Sequence, residues 1–202
     1  MAATPAPQLL DAYSPERIAD RFRIQDLVYR WCRAVDRLDK QGMLDIFWPG
    51  AIDSHGPYIG PAEGLVEWIL VRHQPIATSS HFVGNLLIEF ASEDVALVET
   101  YVRTIQQYPP EAKQQLAQLT GGSAGDEGTA MDMFTSSRYL DRVERRNGEW
   151  RVARRDLVQD WKQIQDVKYK ALQPREGWII GKRDGSDQTQ MARRELGLEA
   201  AK

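Results

Sequence analysis

The chain is short of cysteine, of histidine and of any excess of basic charge, and each shortage removes a class of explanation. A lone cysteine, Cys32, among 202 residues leaves nothing for an intrachain disulfide framework and fits a reducing compartment. With 26 Lys and Arg against 29 Asp and Glu, the formal charge is -3, so no basic field points to nucleic acid or an anionic membrane as partner. The sequence has no apolar run of the roughly 18 residues a membrane helix needs, and its first residues lack the basic and then apolar segments of a secretion signal. A soluble, cytoplasmic protein is expected. The three histidines, His55, His73 and His81, follow no recognised metal-ligand spacing, and there is no phosphate loop or paired-cysteine motif. Neither a metal nor a cofactor is expected.

The hydrophobic fraction of 42% suits one core, and the chain divides into a mobile tail at 1–13, a domain at 14–161 and an extension at 162–202 that packs on its own or a neighbouring subunit. The organising stretch is 78–108. Val, Ile, Leu, Phe, Tyr and Thr dominate on both sides of Ser92-Glu93-Asp94, the composition of two strands joined by a tight turn. His81 stands near the start of the first strand. It reads either as a core histidine satisfied by a backbone carbonyl or as a base that titrates near neutral pH.

Upstream, Ser14-Pro15-Glu16 combines a capping hydroxyl, a first-turn proline and an acid that favours the positive helix end. Apolar residues then recur at helical spacing over roughly 25 residues. Tyr29, Cys32 and Asp36 share one side of this helix. A carboxylate there either needs a partner or a wet cavity, or lies in water at the helix end. A short helix at 40–47, a short strand at 51–54 and a turn at 55–58 follow. A third helix at 62–73 buries Leu65, Val66, Ile69 and Leu70, with His73 solvated at its polar end. Residues 109–128 read as a mobile polar excursion with a short helical stretch at 111–119. Asn147-Gly148 between two alternating runs specifies a type I' hairpin over 131–161. Simple alternation puts Trp150 and Val152 on one side of the last strand and Ala153, Arg155 and Leu157 on the other. Such an arginine either snorkels or serves an anion. Beyond it, Trp178-Ile179-Ile180 is an apolar island, and 190–201 reads as a weak helix.

These elements give an α+β architecture: a cone-shaped barrel of curved antiparallel sheet packed against three N-terminal helices, with an apolar cavity between them. Asp36, His81, Tyr139 and Arg155 are expected to point into it. The run Ile24-Gln25-Asp26-Leu27 with Val35-Asp36, then Tyr58-Ile59-Gly60-Pro61, Ser80-His81-Phe82-Val83-Gly84-Asn85 and the 144–150 hairpin resembles the SnoaL-like branch of the nuclear transport factor two-like superfamily over 17–161. The pattern is similar to scytalone dehydratase and hexachlorocyclohexane dehydrochlorinase, both cofactor-free lyases.

That resemblance implies an acid/base pair at Asp36 and His81 and an arginine for the departing anion at Arg155. Trp31 replaces the dehydrochlorinase lysine and Gln106 stands near the dehydratase's second histidine, so neither enzyme's own substrate is implied. Tyr29, Trp31, Tyr101, Tyr139 and Trp161 would make the cavity aromatic, with His55 and Tyr58 at its mouth as a second acid or hydroxyl holder. The expected activity is elimination of water, halide or formaldehyde from a small hydrophobic or aromatic molecule, a lignin-derived diarylpropane diol being the most specific form. An isomerase or epoxide-hydrolase-type enzyme and a non-catalytic binding or oligomerisation module are the alternatives. A dimer or trimer of like chains is expected.

Overall fold

The computed structural model describes residues 11–122, 124–125, 128–167 and 176–198. Helix α1 (Pro15–Asp36) starts as its sequence dictates, with the Ser14 side chain accepting from the Arg17 amide and proline in the first turn. The short α2 (Lys40–Leu44) stops ahead of the expected limit, because residues 47–55 form strand β1 (Phe47–His55), which turns back into β2 (Tyr58–Pro61). Helix α3 (Ala62–His73), the long hairpin β3 (Thr78–Phe90) and β4 (Val95–Tyr108), α4 (Lys113–Thr120), the hairpin β5 (Met131–Arg146) and β6 (Glu149–Asp166), and α5 (Gln188–Glu195) complete the order.

The six strands form one curved, unclosed sheet in the order β2-β1-β6-β5-β4-β3. Neighbours run antiparallel except β1 and β6, which are parallel. The expected all-antiparallel cone therefore carries one parallel seam, made because β1 precedes the sheet's other long strands and is reached only after the chain has wound through β3 to β5. Asn147 and Gly148 take φ values of 52° and 81°, the left-handed pair that a type I' turn demands. Helices α1 to α3 pack their apolar faces on the concave side, and Trp31, Met43, Ile46, Leu65 and Val66 are among the fully buried side chains of this main core.

Two bulges in β6 overturn the simple alternation. Val152 pairs with Val143 but Arg154 with Arg142, so Ala153 is an extra residue. The insertion returns Arg155 to the buried side with Trp150 and Val152. Farther along, Gln159 pairs with Ser137 and Trp161 with Ser136, which makes Asp160 the second insertion and turns Trp161 outward.

Residues 109–128 are more ordered than a loose excursion where they are described. A 3-10 turn, Pro110–Ala112, leads into α4, whose Leu116 joins Ile76, Tyr108, Met131 and Met133 in a second buried cluster. Most of the tail expected at 1–13, and the end of the helix expected at 190–201, lie outside the described residues. The apolar island Trp178 to Ile180 is exposed. Arg183 anchors the extension by donating to the carbonyls of Val35, Asp36, His73 and Ile76.

Candidate active site

The end of α1 and the start of β3 bring two side chains together across the core boundary. His81 Nδ1 lies 2.7 Å from Asp36 Oδ1, the His81 amide donates to Asp36 Oδ2 at 2.9 Å, and Ser79 Oγ donates to Oδ1 at 2.8 Å. Ser79 and His81 are two apart on one strand, so both meet the same carboxylate. Behind Ser79 the chain continues: Gln106 Nε2 donates to Ser79 Oγ at 3.3 Å, and Tyr108 Oη donates to Gln106 Oε1 at 2.9 Å. Every proton in this relay points toward Asp36. Burial pushes the Asp36 carboxyl up, but the bonds from His81 and Ser79 outweigh it and hold the group below its ordinary range. An ionised carboxylate only accepts, so Nδ1 of His81 carries a proton, and in the neutral ring Nε2 is the atom with a lone pair.

His81 lines a cavity of about 180 Å³. Trp31, Val102, Met133, Tyr139 and Leu157 supply apolar wall, while Thr104, Gln106, Thr135, Ser137 and Gln159 supply polar groups. On its other side His81 borders a surface groove with Tyr29, Cys32, Asp36 and Phe82. A second carboxylate-imidazole pair stands at the cavity: His55 Nδ1 is 3.1 Å from Asp53 Oδ1, with Asp53 fully buried. The His55 ring packs 6.4 Å from Trp31 and 6.3 Å from Tyr139, centroid to centroid. Burial pushes the Tyr139 phenol up and the Cys32 thiol up to about 12, so neither ionises near neutrality, and Cys32 is no nucleophile. Among the described residues, no group of three His, Cys, Asp or Glu side chains is placed to hold a metal.

Of the residues singled out from sequence, Trp31, His55, His81, Gln106 and Tyr139 line the cavity and Asp36 supports it from behind. Arg155 does not face it. The guanidinium is 0% exposed, makes two 2.7 Å bonds to Asp141, and lies over the rings of Trp31 and Tyr139 as a layer behind the wall. Tyr101 and Trp161, 44% and 43% exposed, are on the outer face, Tyr101 because β4 runs against β5 without a break in register, so a residue odd-numbered with Leu97 cannot share the side of Gln106. Tyr29 is exposed in the outer groove. Tyr58 spends its hydroxyl on the Pro61 carbonyl at 2.6 Å and packs on Trp68.

His73 is a correction of another kind: expected in water, it is 3% exposed and lines the cavity beside Arg72. The signal was available, since Leu65, Ile69 and Arg72 or His73 continue one helical stripe. Asp53 likewise shares a strand face with Ala51 and His55, and Ser79 with His81.

The described residues contain no helix long and apolar enough to cross a membrane. No curated protein matches the chain. Among solved structures, the hexachlorocyclohexane dehydrochlorinase LinA-type3 of Novosphingobium barchaimii superposes with a TM-score of 0.59 at 20% identity, over 79% of this chain and 98% of that one. A scytalone dehydratase-like protein of Novosphingobium aromaticivorans gives 0.56 at 19% identity, over 81% and 97%. At such identities the likeness is one of fold. The sequence profile of the SnoaL-like domain matches residues 16–156, and with that match the chain belongs to the SnoaL-like family within the nuclear transport factor two-like superfamily.

Proposed function

We propose that the protein is a cofactor-independent lyase that eliminates water, halide or formaldehyde from a small aromatic molecule held in the cavity. The observation that carries this reading is the Asp36–His81 pair at the cavity wall, with its relay of protons all directed at the carboxylate. Nε2 of His81 takes a proton from carbon, or from the hydroxyl whose loss as formaldehyde breaks a carbon–carbon bond. In the first case the C–H pair forms the alkene and water or halide leaves with its own bonding pair; in the second the O–H pair forms the carbonyl of formaldehyde, the broken C–C pair forms the alkene, and a hydroxyl on the neighbouring carbon leaves with its bonding pair. Asp36 stabilises the imidazolium as it forms and keeps the ring in the right tautomer. A departing hydroxide needs a proton, and the His81 imidazolium formed in the first step can return one, while His55, held by Asp53, stands at the cavity as a second imidazole.

Arg155, paired with Asp141, acts through the wall by fixing Trp31 and Tyr139 rather than by meeting the anion. A cavity of about 180 Å³ compares with the ~150 Å³ that admits benzene, so it suits one substituted ring; in a diarylpropane diol the second ring would lie at the mouth. The test is a screen of aryl alcohols and diols for new ultraviolet absorbance, with product mass measured. His81→Ala should lower turnover roughly 10²- to 10⁴-fold. Full turnover in that variant would remove the pair from the chemistry, and a product of unchanged mass would replace elimination with isomerisation.

A further inference from the structure

Arg72 is 7% exposed and lines the cavity, yet no carboxylate among the described residues is paired with it. Its Nη2 meets Nε2 of His73, its plane covers the Trp68 ring at 4.4 Å, and the neutral Tyr108 phenol lies against it. Nε and Nη1 have no partner. Arg17 Nε and Arg155 Nη1 are also without a partner, but Arg17 is paired with Asp20 and Arg155 with Asp141, so Arg72 stands apart in having no carboxylate. Because an arginine cannot give up its proton, His73 Nε2 accepts, which leaves the ring's hydrogen on Nδ1, and that atom too is buried without a partner. Burial and then the Arg72 charge hold His73 well below its ordinary value, so it stays neutral.

A second cation faces the same space. Lys162 lines the cavity and donates to the Leu119 carbonyl, and burial followed by the Arg72 charge lowers its proton affinity. No aspartate or glutamate lines the cavity; Asp36 and Asp53 stand behind their histidines. Buried donors without acceptors are costly, and an anion reaching the Arg72 guanidinium from the cavity that the residue lines would supply an acceptor.

We propose that Arg72, with Lys162 beside it, is an anion subsite, and that the substrate is an aromatic acid whose carboxylate is bound there while its ring lies against Trp31, Tyr139 and Leu157. This rests on the reading of the cavity as the substrate site and names the class of substrate it takes. The relay reaches the subsite as well, since Tyr108, which touches Arg72, donates through Gln106 and Ser79 to Asp36.

The test is calorimetric titration of the full-length protein at neutral pH with 4-methylbenzoate and with its uncharged isostere 4-methylbenzamide. The acid should bind roughly tenfold or more tightly than the amide, the scale of a charge-assisted bond. Equal binding, or preference for the amide, overturns the proposal before any variant is made. Arg72→Gln should bring the acid down to the affinity of the amide, with circular dichroism to verify the fold, and undiminished acid binding in a folded Arg72→Gln chain overturns it as well. Lys162→Gln should weaken the acid severalfold and leave the amide unchanged. His81→Ala should keep the full preference for the acid. A loss of that preference in wild type with His81-dependent turnover intact would sink the subsite alone, and intact preference with turnover indifferent to His81 would sink the lyase reading alone.

Discussion

Helix α1 buries an aspartate near each end, and the two are served by different kinds of partner. Asp20 accepts from Arg17 at 3.3 Å, Arg145 at 3.4 Å, Arg23 at 3.3 Å and the Trp150 indole at 2.8 Å. Arg17 in turn covers the Phe90 ring and ties the 92–93 turn through two carbonyls. None of these groups changes charge at any pH the fold survives. Asp36 meets an imidazole, a hydroxyl and one amide, and its imidazole opens on a cavity. One end of the helix is a fixed electrostatic clamp between α1 and both hairpins; the other carries a partner able to gain and lose a proton. The same contrast separates Arg155, held by two hydrogen bonds to Asp141, from Arg72, which meets no acid.

The sharpest way to break this comparison is to exchange carboxylate for amide at each end. Asp36→Asn preserves shape but admits the wrong imidazole tautomer, a change worth roughly 10⁴-fold in kcat where an orienting carboxylate is lost from a triad; here a drop of roughly 10² to 10⁴ is expected in steady-state kinetics. Asp20→Asn should leave kcat per folded molecule within about twofold, yet cost about 3–5 kcal/mol in urea unfolding, because it leaves a buried guanidinium without its counter-charge. If Asp20→Asn abolished turnover in a stable chain, the division between clamp and site would be wrong.

Next in size is the ion pair behind the wall. Asp141→Leu alone strands the Arg155 charge and should cost about 3–5 kcal/mol in the same unfolding measurement, whereas Asp141→Leu with Arg155→Met should recover most of the loss. Recovery of the stability without recovery of turnover would show that the pair positions Trp31 and Tyr139 for catalysis. A smaller effect belongs to the extension. Arg183→Ala removes the guanidinium that takes the carbonyls of Val35 and Asp36 at the end of α1, and a loss of about 1–3 kcal/mol is expected with a modest fall in kcat.

Acid titration separates the two ends again. The Asp36 carboxyl is held below its ordinary 3.8, so the stability it contributes is present above that value and fades as pH falls through its lower folded value. The wild-type advantage over Asp36→Asn in thermal unfolding should therefore persist to about pH 4 and vanish below it.

Much of the fold was legible because it depends on local signals. The Ser14-Pro15 start, the limits of α3 and both long hairpins follow from capping, periodicity and turn chemistry, and Asp36 and His81 fall at the two element ends that the cone must bring together. What was not legible depends on events with no local signature. The insertion at Ala153 puts Arg155 and Leu157 on the face of Trp150 and Val152, against simple alternation, and the insertion at Asp160 turns Trp161 outward; Arg155 misses the cavity because Asp141 holds it behind the wall. The parallel pairing of β1 with β6 joins segments far apart in sequence, and it brings Asp53 next to Arg155. His73 looked polar and terminal, but it is buried, with Arg72 on its ring and Arg183 of the C-terminal extension on its carbonyl.

The smallest expected effect probes those bulges. If Asp160 is the inserted residue, Trp161 lies on the outer face, stacked on Arg103 at 5.1 Å, and Gln159 and Lys162 flank it on the cavity side. Trp161→Ala should then leave kcat and KM within about twofold and change stability by less than about 1 kcal/mol, the scale of an exposed cation–π contact, while Leu157→Ala, on the cavity wall in the same strand, should raise KM clearly. A KM that rose with Trp161→Ala and not with Leu157→Ala would mean the strand keeps its simple alternation through 160, and the cavity wall would have to be redrawn from that point on.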